Sequence, residues 1–128
     1  HHQIHMTMNL RIYHLERAAL HSRCKSVFVT LGYQLIEEDP LNCILRAVRE
    51  EPAGACSSLL DIRIKKEPDG IQVLVLSGQR SNVFGTIRFD PDGETEFIEH
   101  FLFAIQPAVI RHPEFRLTEA DYAFASGF

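Results

Sequence analysis

The string Glu96-Phe97-Ile98-Glu99-His100 gathers the residue types best suited to chemistry in this chain. A carboxylate beside an imidazole can hold a borderline metal ion or pass a proton near neutral pH. On a helix, Glu96 and His100 share a face one turn apart and Glu99 sits beside His100. On a strand, Glu96 and His100 still share a face while Glu99 turns away. The pattern lacks the first histidine of H-x-x-E-H, and no second ligand pair stands elsewhere at helical spacing, so no metal site is expected. Glu99 and His100 remain the weak catalytic candidates, set against a solvated polar face opposite the phenylalanines.

Tyr33, Glu99 and His100 are the polar groups that a ligand pocket between helices and sheet would use. Cys24, Cys43 and Cys56 number three, with no C-x-x-C pair, which points to neither a disulfide framework nor a zinc knuckle. A thiol nucleophile would need a base such as His14 or His100 nearby, and small buried free thiols in a reducing cytoplasm are the plainer expectation. Arg63, Lys65 and Arg88 form a candidate basic strip for nucleic acid or an anion. The phenylalanines that would stack bases are expected in the core, and Asp61 and Glu67 dilute the charge. The run Gly78-Gln79-Arg80-Ser81-Asn82 reads as a polar loop able to grip an anion through Arg80, or simply to connect two strands. No phosphate-binding loop, dinucleotide fingerprint, nucleophile elbow or zincin motif is present.

The elements that must position these residues are organised around residues 58–103. Two hairpins in series are expected, with turns at Glu67-Pro68-Asp69-Gly70 and Asp90-Pro91-Asp92-Gly93, where proline, aspartate and glycine each favour a tight turn. The expected strands are 58–66, 71–77, 83–89 and 94–105. The first alternates Leu60, Ile62 and Ile64 against Asp61, Arg63 and Lys65, which implies one wet face. The second is apolar on both sides and should be covered on both. Residues 94–105 also fit a helix with Phe97, Ile98, Phe101, Leu102 and Ile105 on one face, and the preceding turn tips the reading to strand.

Ahead of this stretch, residues 8–14 alternate as a short strand. Residues 16–31 carry Leu20, Cys24, Val27, Phe28 and Leu31 at helical steps, with His21 on the other side and Gly32 as the stop. Residues 33–37 read as a brief strand. Asp39 and Pro40 read as the start of a second helix with Leu41, Ile44, Leu45 and Val48 inside, ended by Pro52 and Gly54. Thr118 is expected to cap a short last helix, and Phe124 and Phe128 to dock onto the domain or a partner.

At 128 residues, 45% hydrophobic and 23% charged, the chain fits one domain with its own core. His1, His2 and His5 read as the end of a purification tag, leaving 6–128 as a single domain. The net charge of −4 weakens a nucleic-acid reading. Nothing approaches the ~20 apolar residues of a membrane span, and no signal-peptide core is seen.

The expected fold is α+β: a curled four-stranded antiparallel meander with two N-terminal helices and a short C-terminal helix packed against it. The expected function is a small cytoplasmic, non-enzymatic binding or adaptor protein acting as a homodimer, with no cofactor. One alternative is a cone-shaped pocket protein or enzyme using a histidine–carboxylate pair on a small molecule. The other is a weak nucleic-acid binder through the basic strip.

Overall fold

The computed structural model describes residues 6–12, 16–68, 70–105 and 109–115. The element order is β1 (Met6–Ile12), α1 (Arg17–Leu31), β2 (Gln34–Asp39), β3 (Ile44–Glu50), β4 (Cys56–Glu67), β5 (Gly70–Ser81), β6 (Ile87–Phe89), α2 (Pro91–Ile105) and β7 (Val109–Phe115). The fold is α+β, with both described helices on one face of an antiparallel sheet. Five strands in the order β2-β3-β4-β5-β1 form its body. β7 extends the sheet past β1, and β6 pairs with the far part of β5. The residues before Met6, the helix expected after Thr118, and Phe124 and Phe128 lie outside the described residues.

The first hairpin forms as its turn chemistry requires, with Lys66 opposite Ile71 and Glu67 opposite Gly70. Leu60, Ile62 and Ile64 of β4 and Val73 and Val75 of β5 face the helices, each 0% exposed. β5 is buried without a break from Ile71 to Gly78, as expected of a strand covered on both sides. The wet face expected for β4 is a correction: Leu59 and Leu76 form a second apolar cluster there with Val48, Ile87 and Phe89. Asp61, on that face, has a side-chain exposure of 0%.

The second hairpin does not form. Asp90-Pro91-Asp92-Gly93 starts α2 instead, so Phe89 and Glu94 do not run side by side. Asp90 Oδ1 accepts a hydrogen bond from the Asp92 N–H at 3.2 Å, and Pro91 occupies the first helical position, where its missing N–H costs nothing. Asp92 and Glu94 in the first turn suit the positive end of the helix dipole. The helical stripe decided the outcome: Phe97, Ile98 and Phe101 are all buried against α1 and the sheet. Phe97 sits 5.7 Å from both Phe28 and Phe101, ring centroid to ring centroid. At Gly93 the helix approaches Ser77 so closely that no side chain fits, and the Asp90 N–H donates to the Ser77 carbonyl at 2.9 Å.

The expected second N-terminal helix is also a correction. Asp39 and Pro40 make the turn between β2 and β3. Asp39 Oδ1 and Oδ2 accept from the Asn42 backbone N–H (3.2 Å) and side-chain amide (2.8 Å). Beyond that turn the chain alternates with a period of two. Leu45 and Ala47 face the helices at 0% exposure, while Leu41, read as core, is 80% exposed in the turn. Glu50 ends β3, and Glu51 follows it. The two Asp-Pro pairs exchange the roles the sequence suggested for them.

Helix α1 forms as read, closed by Gly32 at φ 81° in the left-handed region that glycine tolerates. His21, placed on the outer side from sequence, is only 8% exposed. Residues 78–81, read as loop, continue β5, and the turn beyond them leaves Val83 and Phe84 74% and 82% exposed.

Candidate functional site

Helix α2 divides the chemical string Glu96–His100 between two environments. Glu96 points back to Arg49 of β3, with an Oε1···Nη1 distance of 3.2 Å. His100 Nδ1 lies 3.0 Å from the Glu96 backbone carbonyl. A carbonyl only accepts, so Nδ1 carries the proton and Nε2 faces outward. Glu96 and His100 thus share a helix face without pairing. Glu99 and His100 are exposed, and with Phe103 they line an open recess of about 340 Å³. Phe103 is 84% exposed. The helical stripe at 97, 98, 101 and 102 forces this, because residues 99, 100 and 103 fall on the opposite side. Reading the segment as a strand concealed the Phe103 exposure.

Tyr33, the third residue expected at a pocket, is instead buried where α1 ends. The Arg49 guanidinium lies 4.6 Å from its ring centroid. Arg49 also donates to the Leu31 carbonyl at 2.9 Å and pairs with Glu51 at 3.4 Å, while the Ser58 hydroxyl donates to Glu51. Burial raises the Tyr33 phenol above its ordinary range; Arg49 opposes the rise and Glu96 reinforces it. The Ser58 hydroxyl is near enough to influence that ionisation, yet the Tyr33 hydroxyl has no partner in hydrogen-bonding geometry. A neutral phenol and a guanidinium held on several sides position α1 and α2 against the sheet and offer no activated nucleophile. Tyr33 is thus buried in this cluster, whereas Glu99 and His100 stand exposed on the outer side of α2.

The basic residues do not form one strip. Arg63 Nε bonds Asp61 Oδ1 at 3.0 Å, and Arg46 Nε bonds Asp61 Oδ2 at 2.9 Å. This cluster and Lys65 lie on the sheet face away from the helices. Arg88 lies on the helix-bearing face, where its Nη2 donates to Gln79 Oε1 at 2.9 Å.

Cys24 and Cys43 are buried at 0% and 3% exposure, and Cys56 is half-buried. Burial, reinforced by the nearby Cys43, pushes the Cys24 thiol far above the range in which a thiolate forms. Among the described residues no group of three histidine, cysteine, aspartate or glutamate side chains is placed to hold a metal ion.

A polar clasp that sequence reading missed joins α1 to the edge strand β2. His21 Nε2 lies 2.7 Å from Glu38 Oε2, and Lys25 Nζ donates to Glu38 Oε1 at 3.3 Å. The pairing register shifts between Leu35 and Glu37, and that bulge turns Glu37 toward Arg46 and Glu38 toward α1. A bulge has no signature in a single sequence here. The bonds from His21 and then Lys25 hold the Glu38 carboxyl below its ordinary value.

No protein-family model matches the chain, and no curated protein matches it either. Among the described residues no helix is long and apolar enough to cross a membrane.

Proposed function

We propose that the protein is a non-enzymatic binding protein that works as a homodimer, with the outer face of α2 as its contact surface. The single observation carrying this reading is Phe103, 84% exposed on the helix whose Phe97, Ile98 and Phe101 are buried. Beside it, Glu99 and His100 complete an open recess. The surface is self-complementary. In a two-fold arrangement with antiparallel α2 helices, Phe103 of each copy enters the recess of the other, and Glu99 of each copy meets His100 of the other. Because Nδ1 is turned to the Glu96 carbonyl, Nε2 is the atom that donates to such a carboxylate when the imidazole is protonated. Phenylalanine at the centre with polar groups at its rim is the composition of small specific interfaces.

A binding role also agrees with the packing of Phe28, Phe97 and Phe101 into one cluster between the helices and the sheet. The three free thiols suit a reducing compartment such as the cytoplasm. Sedimentation equilibrium across a concentration series tests the proposal. The wild type should pass from monomer to dimer mass, and Phe103→Ser should shift that transition to concentrations at least ~tenfold higher, as expected for a central apolar anchor. A wild type that stays monomeric at every concentration overturns it.

A further inference from the structure

A second recess, of about 260 Å³, opens on the helix-bearing face of the sheet beyond the start of α2. Ala55, Cys56, Gln79, Ser81, Thr86, Ile87 and Arg88 line it. Its walls are fixed by hydrogen bonds rather than by packing alone. Asn82 ties the β5–β6 turn to the loop before β4. Its N–H donates to the Ala55 carbonyl (2.9 Å), its amide donates to the Gly54 carbonyl (3.0 Å), and its Oδ1 accepts from the Ser57 hydroxyl (3.0 Å). The Ser81 N–H donates to the Thr86 carbonyl at 2.9 Å and closes the turn.

The side chains facing this space are donors. Gln79 Oε1 accepts from Arg88 Nη2 and steadies the guanidinium, whose fork has further N–H groups to offer. Ser81 Oγ accepts from the Val83 and Phe84 N–H groups at 3.3 and 3.1 Å, which leaves its own proton to donate elsewhere. Thr86 adds a second hydroxyl, and among the described residues the lining contains no carboxylate. Ala55 supplies an apolar wall, and Phe84 stands 82% exposed on the adjoining turn.

We infer that this recess is a binding site for a small organic carboxylate, held by the Arg88 fork and the Ser81 and Thr86 hydroxyls, with its apolar part against Ala55. A planar carboxylate matches a guanidinium in two parallel hydrogen bonds. One cation in the lining matches one negative charge, which favours a carboxylate over a phosphate dianion. The volume lies below the ~300–1,000 Å³ of drug-sized sites and sets the scale of the ligand.

Cys56 reports occupancy, because it is the half-exposed thiol and lines the recess while Cys24 and Cys43 are buried. The experiment measures the rate at which the full chain reacts with the neutral reagent N-ethylmaleimide during titration with sodium benzoate, benzamide or inorganic phosphate. Benzoate should slow the reaction saturably and benzamide should not. Arg88→Gln should raise the half-saturating benzoate concentration about tenfold or more, as loss of charged hydrogen bonds does. Arg88→Lys should weaken it too, because the fork is lost while the charge is kept. No saturable slowing by benzoate, equal slowing by benzamide, stronger protection by phosphate, or an Arg88→Gln protein that behaves as wild type would each overturn the inference. Unchanged urea unfolding of the Arg88 variants separates lost binding from lost structure.

Discussion

Replacing Gly93 by alanine tests where α2 begins. An added Cβ would fall inside the Ser77 hydroxyl, 3.0 Å from the Ser77 Cβ and 3.4 Å from Asp90 Oδ2. The Ser77 hydroxyl is buried without a partner and belongs to a strand buried on both sides, so it has little room to yield. Overpacking of this kind costs ~1–3 kcal/mol. Alanine returns up to ~1 kcal/mol of helix propensity relative to glycine. With the full propensity gain set against it, the net expectation for Gly93→Ala is a loss of roughly 0–2 kcal/mol in urea unfolding. Ser77→Ala should be neutral or stabilising, since it removes a buried hydroxyl that satisfies nothing. In the double variant the hydroxyl clash is gone and only the tighter Cβ contact remains. The two changes should therefore be non-additive by about 1 kcal/mol in the recovering direction. If Gly93→Ala is stabilising, or the two effects simply add, then α2 does not seat on Ser77 at this point.

Two further predictions concern charge. Asp61→Ala removes the buried carboxylate that Arg46 and Arg63 share, leaving Arg46 its contact with Glu37, and should lower stability by roughly 3–5 kcal/mol as breaking a buried pair does; a small change in the urea midpoint would show that solvent reaches the cluster. Glu38 is held below its ordinary value by His21 and Lys25, so its folded form releases its proton more readily than the unfolded chain. Its contribution is therefore present above the ordinary glutamate range and is lost as pH falls through the lowered folded value. The stability gap between wild type and Glu38→Gln should close on acidification, and a gap that stays constant with pH contradicts the clasp.

The first hairpin, helix α1 and the doubly covered strand β5 could be read from residue types, because turn chemistry and period agreed locally. The errors share one physical origin. Asp-Pro satisfies both a turn and a helix start, and only the period of the residues beyond it separates them. After Asp39 that period is two, carried by Leu45 and Ala47. After Asp90 it is helical, carried by Phe97, Ile98 and Phe101. Weighing the dipeptide above the pattern gave each segment the other's structure. Asp61 looked solvated because its arginine partners include one from β3, a pairing invisible without the sheet register. Of the chemical residues, Glu99 and His100 were singled out from sequence, while Phe103 was not, since its exposure emerges only once the segment is helical.

The most direct test of the dimer through α2 is a charge exchange. With histidine protonated, Glu99→Lys and His100→Glu each place like charges across the proposed two-fold contact. Sedimentation equilibrium of either variant alone should therefore show weakened association relative to wild type. An equimolar mixture should return to dimer mass. In the mixed pair the introduced lysine of one chain meets the introduced glutamate of the other, while the remaining Glu99 meets the remaining His100. A mixture that associates no better than its separate components contradicts the account.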